Sequence, residues 1–337
     1  MNNPIVIAVD AMGGDNSPDK VIDGIELYSK ENKNIFYKLF GDKNLIQQSL
    51  KNKKIDVDIY EIIHTEESIK GEDSALTAAK RGKNTSMWLS IESVKNKKSD
   101  IVLSAGNTGA LFVIAKLNLD MIDNIDKPAL SGLWPNKLGM NVVLDLGANI
   151  ECNEQNLIDF AEMGSALYKA LFPDQLPKVS LLNVGSEEIK GTEILKNSSK
   201  KLKDLSNENN FIYKGYIEGN SIMSGESNVI VTDGFTGNIA LKTAEGTAKF
   251  ITDNLKKNLT KISLLFSYFS LKKFKSKLDP RKYNGAIFLG LNGPVVKSHG
   301  GTDSVGFYYS IDLCYKIVKG NLMQQIKKNL SHLKSEN

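Results

Sequence analysis

Short apolar runs alternate with longer amphipathic stretches along nearly the whole chain. Residues 4–11, Ile35–Phe40, Val57–Ile63, Ile101–Leu103, Asn141–Asp145, Val179–Val184 and Val229–Thr232 are rich in β-branched and large apolar side chains and read as strands. Helical patterns lie between them. Ser17-Pro18-Asp19 has the makeup of a helix start, with proline at the first position, and Val21, Ile22 and Ile25 follow on one face. Residues 74–97 read as one helix or two, with a break near Lys83-Asn84. Residues 154–171 read as a single helix, another runs to about residue 204, and a long one follows Asn238. Val295-Val296 leads through a turn into a helix with apolar positions at Val305, Ile311 and Leu313. This alternation predicts an α/β fold, a mostly parallel sheet flanked by helices, in one large domain over residues 1–335.

The loops carry the chemistry. Asp10–Asp15, Gly106–Gly109, Asp145–Asn149, Asn183–Gly191 and Asp233–Asn238 all leave the carboxyl ends of predicted strands, and each places glycine beside Asp, Asn or Lys. Ligands of parallel sheets collect at that edge, so the five loops are expected to line one edge together. Taken singly, such a loop is usually an ordinary turn. The segment Ser104-Ala-Gly-Asn-Thr-Gly-Ala110 is the most pointed, because strand, small-residue turn and helix start coincide there. Gly106 and Gly109 permit close backbone approach, and the first-turn N–H groups favour an anion. Asn107 and Thr108 either cap the helix or bind the ligand.

Composition narrows the classes. The 337 residues are 41% hydrophobic and 24% charged, as in soluble globular proteins, and a net charge of +4 gives no case for nucleic acid. Cys152 and Cys314 are the only cysteines, too few for a disulfide framework or a cysteine metal site. The chain starts directly on a strand pattern, and no apolar run reaches the ~20 residues that span a bilayer, so a cytoplasmic location is expected. HExxH, paired-histidine and EF-hand spacings are missing, as are GxSxG, Walker A and GxGxxG, so neither metal nor cofactor is expected.

Of the three histidines, His299 stands apart. It sits in Lys297-Ser-His-Gly-Gly-Thr-Asp303, where it can bind an anion, act as an acid–base, or cap the following helix. Lys190 and Lys242 lie beside candidate loops and suit phosphate as point charges, or are plain surface lysines. Asp10, Asp15, Asp145 and Asp233 can orient cationic groups. In residues 256–278, Ile262, Leu264, Leu265, Phe266, Tyr268, Phe269, Leu271 and Phe274 crowd together with lysines on both flanks. That makeup suits contact with an anionic membrane surface, a partner-binding helix pair, a core helix hairpin or a dimer interface.

Ile7-Ala-Val-Asp-Ala-Met-Gly-Gly-Asp15, Ser104–Ala110, Leu144-Asp-Leu-Gly-Ala-Asn149, Asn183-Val-Gly-Ser-Glu187 with Lys190-Gly191, Gly234-Phe-Thr-Gly-Asn238 with Leu241-Lys242, and Gly290 to Gly300 resemble, in order and over nearly the whole chain, the bacterial phosphate acyltransferase family, PlsX. The resemblance implies transfer of an acyl group from acyl-[acyl-carrier protein] to inorganic phosphate. The acyl phosphate would feed a membrane glycerol-3-phosphate acyltransferase. It also implies a fold like isocitrate and isopropylmalate dehydrogenases and phosphotransacetylase, a homodimer, and a membrane-associating amphipathic helical hairpin at 256–278, with Leu264, Leu265, Phe266 and Phe269 as contacts. Asn107, Lys190, Lys242 and His299 are the expected catalytic residues. Asp10, Gly13, Gly14, Gly106, Thr108, Gly109, Asp145, Asn149, Asn183, Asp233 and Asn238 are expected to hold or orient substrate. Asn284, Ile287 and the run His299-Gly-Gly-Thr-Asp303 depart from the usual pattern. Rival readings are an acyl-CoA phosphotransacylase and a membrane-surface scaffold. A decarboxylating dehydrogenase is disfavoured, because it wants clustered arginines and this chain has only Arg81 and Arg281.

Overall fold

The structure, a computed structural model, describes residues 3–32, 34–206, 210–258 and 279–332. Eleven strands form one sheet: β1 (Ile5–Asp10), β2 (Ile35–Gly41), β3 (Tyr60–His64), β4 (Ile101–Ser104), β5 (Ala129–Pro135), β6 (Met140–Leu144), β7 (Lys178–Leu182), β8 (Ile212–Ile217), β9 (Val229–Val231), β10 (Ala286–Leu289) and β11 (Val295–Lys297). Their order is β3-β2-β1-β4-β11-β10-β5-β6-β9-β7-β8. The helices are α1 (Asp19–Ser29), α2 (Lys43–Leu50), α3 (Ala75–Arg81), α4 (Ser86–Lys95), α5 (Thr108–Leu119), α6 (Glu154–Leu171), α7 (Glu193–Leu205), α8 (Gly234–Asn258), α9 (Ser304–Lys319) and α10 (Leu322–His332).

Side-chain caps set several helix starts. Asp42, Ser74, Thr85, Asn107, Thr192 and Asp303 each accept a first-turn N–H, and Asn153 with Asn156 closes a capping box on α6. The expected break in 74–97 is a 3₁₀ turn at Gly82–Asn84, between α3 and α4. Helix α6 has the bounds read from its apolar pattern.

Three strands have no counterpart in the sequence reading, and each has a local reason. Strand β10 is only four residues long. Strand β5 carries Gly132 and ends in Pro135. Strand β8 contains Gly215 at φ +85, and its pairing with β7 shifts register between Val179 and Leu181.

Two of these missed strands change the geometry of the site. The pairs β11–β10, β10–β5 and β5–β6 are antiparallel, whereas the pairs on either side are parallel. Three reversals leave β6, β7 and β9 running opposite to β1, β4 and β11. The expectation that five loops share one edge is therefore corrected: those after β1 and β4 leave one edge, and those after β6, β7 and β9 leave the other. Asp10 and Asp145 end strands five places apart in the order, roughly 24 Å across the sheet at the usual strand spacing.

One sheet face packs under α1, α6, α9 and α10 in a continuous core that includes Ile7, Val9, Leu103, Leu144, Phe160 and Phe307. The other face is split. Ala8, Val102 and Val295 pack beneath α4 and α5, and Val143, Leu182 and Ile230 beneath the start of α8. From Glu245 to Leu255, α8 is exposed. The segment expected to contact membrane, including Leu264, Leu265, Phe266 and Phe269, lies outside the described residues, as does the expected hairpin. Among the described residues no helix is long and apolar enough to cross a membrane.

Candidate active site

Asp10, Ser104 and Lys297 stand side by side at the ends of β1, β4 and β11. Asp10 is in register with Ser104, and Ser104 with Lys297, so all three side chains leave the face that carries α4 and α5. Asp10 is fully enclosed, and its two carboxylate oxygens accept the hydroxyls of Ser86 and Ser104, each at 2.6 Å. Burial pushes its carboxyl up. The two serine hydroxyls, the Met12 N–H and Lys297 pull it back. The Ser104 hydroxyl also accepts the N–H of Gly106 at 3.1 Å, which fixes the turn into α5. A Cβ on Gly13 would sit 2.6 Å from both Asp10 Oδ2 and the Gly106 nitrogen, so only glycine lets the first loop lie against the second.

Asn107 is committed to the scaffold. Its Oδ1 accepts the N–H of Ala110 at 3.0 Å, and its Nδ2 donates to the carbonyls of Gly71 at 2.8 Å and Asp73 at 3.2 Å. Thr108 and Gly109 are exposed, and first-turn N–H groups have no partner within their own helix. His299 is exposed at the same edge. Its Nδ1 accepts the N–H of Gly301 at 3.2 Å, which leaves Nε2 to carry the ring proton of the neutral form. Asn284 holds this loop: its Oδ1 accepts the His299 N–H at 2.9 Å, and its Nδ2 donates to Ser298 Oγ and the Gly306 carbonyl, both at 2.9 Å. Arg281 adds an ion pair to Asp303 at 2.9 Å.

The second centre lies past β6, β7 and β9. The buried Asp145 accepts the N–H groups of Leu130, Gly147 and Ala148 on Oδ1, and the N–H and Nδ2 of Asn149 on Oδ2. Burial pushes its carboxyl up, and donors on Ala148, Leu130 and Asn149 pull it back. Asp233 caps α8 through Thr236, Asn238 donates to the Leu146 carbonyl, and Asn183 donates to the carbonyls of Gly185 and Lys190. A Cβ on Gly237 would lie 1.9 Å from the Asp145 carbonyl oxygen, so α8 seats directly on the Asp145 turn. Lys190 and Lys242 lie on the surface here, each 2.8 Å from a glutamate three residues away, Glu187 and Glu245. Burial pushes the thiol of Cys152, near Asp145 and Asp233, up to about 11, and Cys314 is buried too, so neither is set up as a nucleophile.

The sequence residues thus fall into two groups. Asp10, Gly13, Gly14, Gly106, Asn107, Thr108, Gly109 and His299 gather at one sheet edge. Asp145, Asn149, Asn183, Lys190, Asp233, Asn238 and Lys242 gather at the other. Lys20 and Lys297 were missed. Lys297 is 8% exposed, and its Nζ donates to the Ser298 carbonyl. Lys20 is 5% exposed, and its Nζ donates to the Gly300 carbonyl. One sequence signal marks Lys297: it follows Val295-Val296 directly, where a strand runs into the His299 turn. Lys20 has no such mark.

Residues 5–325 match the model of a family described as fatty acid synthesis protein. The chain is 62% identical over 335 residues to a phosphate acyltransferase of Pelagibacter ubique, covering 98% of this chain and 100% of that one. It belongs to the phosphate acyltransferase family. A phosphate acyltransferase of Paramagnetospirillum magneticum is 41% identical, over 99% of this chain and 96% of its own. Membership makes the chain an acyltransferase of fatty acid and lipid synthesis. Among solved structures, the EutD phosphotransacetylase of Staphylococcus aureus superposes with a TM-score of 0.61 at 16% identity, over 95% of this chain and 94% of that one. A phosphotransacetylase of Streptococcus pyogenes also gives 0.61 at 16% identity, over 96% and 94%. A 4-hydroxythreonine-4-phosphate dehydrogenase of Salmonella typhimurium gives 0.56 at 11% identity, over 94% and 100%. These likenesses show that the chain shares its fold with phosphotransacetylases and with 4-hydroxythreonine-4-phosphate dehydrogenase.

Proposed function

We propose that this chain transfers a fatty acyl group from acyl-[acyl-carrier protein] to inorganic phosphate, by direct attack of bound phosphate on the thioester. A phosphate oxygen attacks the carbonyl carbon, the C–S bond breaks, and the phosphate proton passes to the leaving thiolate. The products are acyl phosphate and free carrier. Family membership supports acyl transfer to phosphate. The observation that carries the placement is the convergence of three strand-end turns, after β1, β4 and β11, whose glycines let them close around the Asp10 and Lys20 side chains.

Phosphate is a weak nucleophile, and holding it against the carbonyl supplies several kcal/mol of the barrier. The exposed N–H groups of Thr108 and Gly109 hold the phosphate or the oxyanion, in sites where one such donor is worth ~3–4 kcal/mol. His299 meets the charge or the proton through Nε2. Asn107 shapes the α5 start. The second centre, with Asn149, Asn183, Asp233 and Asn238 fixing the loops of Lys190 and Lys242, serves the acyl donor. Both thiols are held protonated, which favours direct transfer over an acyl-cysteine route. The product suits a membrane glycerol-3-phosphate acyltransferase, with the protein acting as a homodimer at the cytoplasmic face of an anionic membrane through residues 256–278.

The test offers acyl-[acyl-carrier protein] and acyl-CoA separately with saturating phosphate. A kcat/KM at least tenfold higher for the carrier-bound donor is expected. Equal or better use of acyl-CoA would make the chain a phosphotransacylase of the kind its structural neighbours are named for.

A further inference from the structure

Lys20 and Lys297 place two buried ammonium groups at the first centre against a single buried carboxylate, Asp10. Both side chains are more than nine-tenths buried. Each ammonium has three N–H donors. Lys20 donates to the Gly300 carbonyl, which already accepts the N–H of Asp15 at 3.0 Å. Lys297 donates to the Ser298 carbonyl and, at a long 3.5 Å, to that of Ala105. The one buried carboxylate beside them is Asp10, and both its oxygens are taken by serine hydroxyls. Asp15 is exposed. Burying an ammonium costs several kcal/mol unless an anion and full hydrogen bonding compensate it. Here two ammonium groups share one buried, occupied carboxylate, with the exposed Asp15 as a second counter-charge to Lys20, and Lys297 feels burial and repulsion from Lys20 against the pull of Asp10.

The surroundings complete a cradle. A Cβ on Gly14 would lie 2.7 Å from Lys20 Nζ and from the Ala105 carbonyl, and 2.9 Å from that of Gly300. The three turns therefore close around the Lys20 head without side chains. Lys297 leaves the same sheet face from which α5 starts, and Thr108 and Gly109 open that helix. We propose that Lys20 and Lys297 form the charged floor of an oxyanion site that binds inorganic phosphate, the acyl acceptor, with the first turn of α5 opposite them. The lysines chosen from sequence, Lys190 and Lys242, belong to a different centre and do not hold this anion. The ligand identity rests on the reaction proposed above; the excess of buried charge does not.

Phosphate binding is measured by calorimetry and thermal melting on the full chain and on Lys20→Met and Lys297→Met, with chloride matched for ionic strength and sulfate as competitor. Lys297→Gln keeps a donor for the Ser298 carbonyl and serves if the Met variant does not fold. Wild type is expected to bind phosphate and to melt higher in its presence. Each variant is expected to lose at least tenfold in affinity, yet to melt at or above wild type in phosphate-free buffer, because an uncompensated buried charge is gone. Wild-type phosphate affinity in the variants would overturn the proposal, as would absence of phosphate binding by wild type or a lower melting point without phosphate. Phosphate binding that needs both lysines, in a protein that does not use acyl-[acyl-carrier protein], would keep the site and reject the donor.

Discussion

Asp10 and Lys297 end strands two places apart in the sheet, at one register level, with Ser104 between them. Among the described residues, the carboxylate is the only buried counter-charge beside these two buried ammonium groups, and it also holds the hydroxyls of Ser86 and Ser104. Replacing it by alanine strands all four groups. Asp10→Ala is expected to cost ~3–5 kcal/mol of folding stability, the range for breaking a buried charge pair. Urea unfolding measures this, and a loss under 1 kcal/mol would show that Asp10 does not tie the turns together.

The same burial gives a pH signature. Burial and Lys20 hold Lys297 down to about 8 in the folded protein, against an ordinary 10.5, and Asp10 opposes them. Between those values the unfolded chain carries the lysine proton more often than the folded chain does. Native stability therefore rises with pH across this window, and below it the buried charge costs on the order of 3 kcal/mol. Unfolding free energies from pH 7.5 to 10.5 should rise more steeply in wild type than in Lys297→Met. Parallel curves would mean that Lys297 is not titrating there.

Asn107 separates capping from anchoring. Asn107→Asp keeps an acceptor for the Ala110 N–H but loses the donors to the Gly71 and Asp73 carbonyls, whereas Asn107→Ala loses both. The alanine variant should lose ~1–2 kcal/mol and the aspartate variant less than half of that. Turnover should fall in both, because each releases the 71–73 loop from α5. Full activity in Asn107→Asp would show that this anchor does not matter to the reaction.

Lys190 and Lys242 are exposed, each beside one nearby glutamate, so neither stabilises the fold appreciably. Alanine at either position should leave the melting temperature unchanged. With an acyl-donor role, KM for the donor rises several-fold while phosphate affinity stays put. The reverse pattern, a raised KM for phosphate alone, would move the acceptor to the second centre.

The alternation of strands and helices was legible because its signals are local: apolar period, caps such as Thr85 and Asn107, and glycine turns. The arrangement of the loops was not. It depends on β5 and β10, whose short or glycine-interrupted runs resemble connecting loops, and whose antiparallel pairing turns half of the sheet around. Lys190 and Lys242 were visible because they sit beside glycine loops, but the glutamates that neutralise them lie close by in sequence. Lys20 and Lys297 matter through burial, which for Lys20 comes from the packed turns at Gly14 and Gly300. Asn284 ties the His299 loop to α9.

Direct attack by phosphate is tested by mixing the protein with acyl-[acyl-carrier protein] first without phosphate and then with isotopically labelled phosphate, following free carrier and acyl phosphate together. No carrier release is expected before phosphate is added, and then label in acyl phosphate at the same rate as carrier appears. A stoichiometric burst of free carrier and an acylated protein in the absence of phosphate would contradict direct attack.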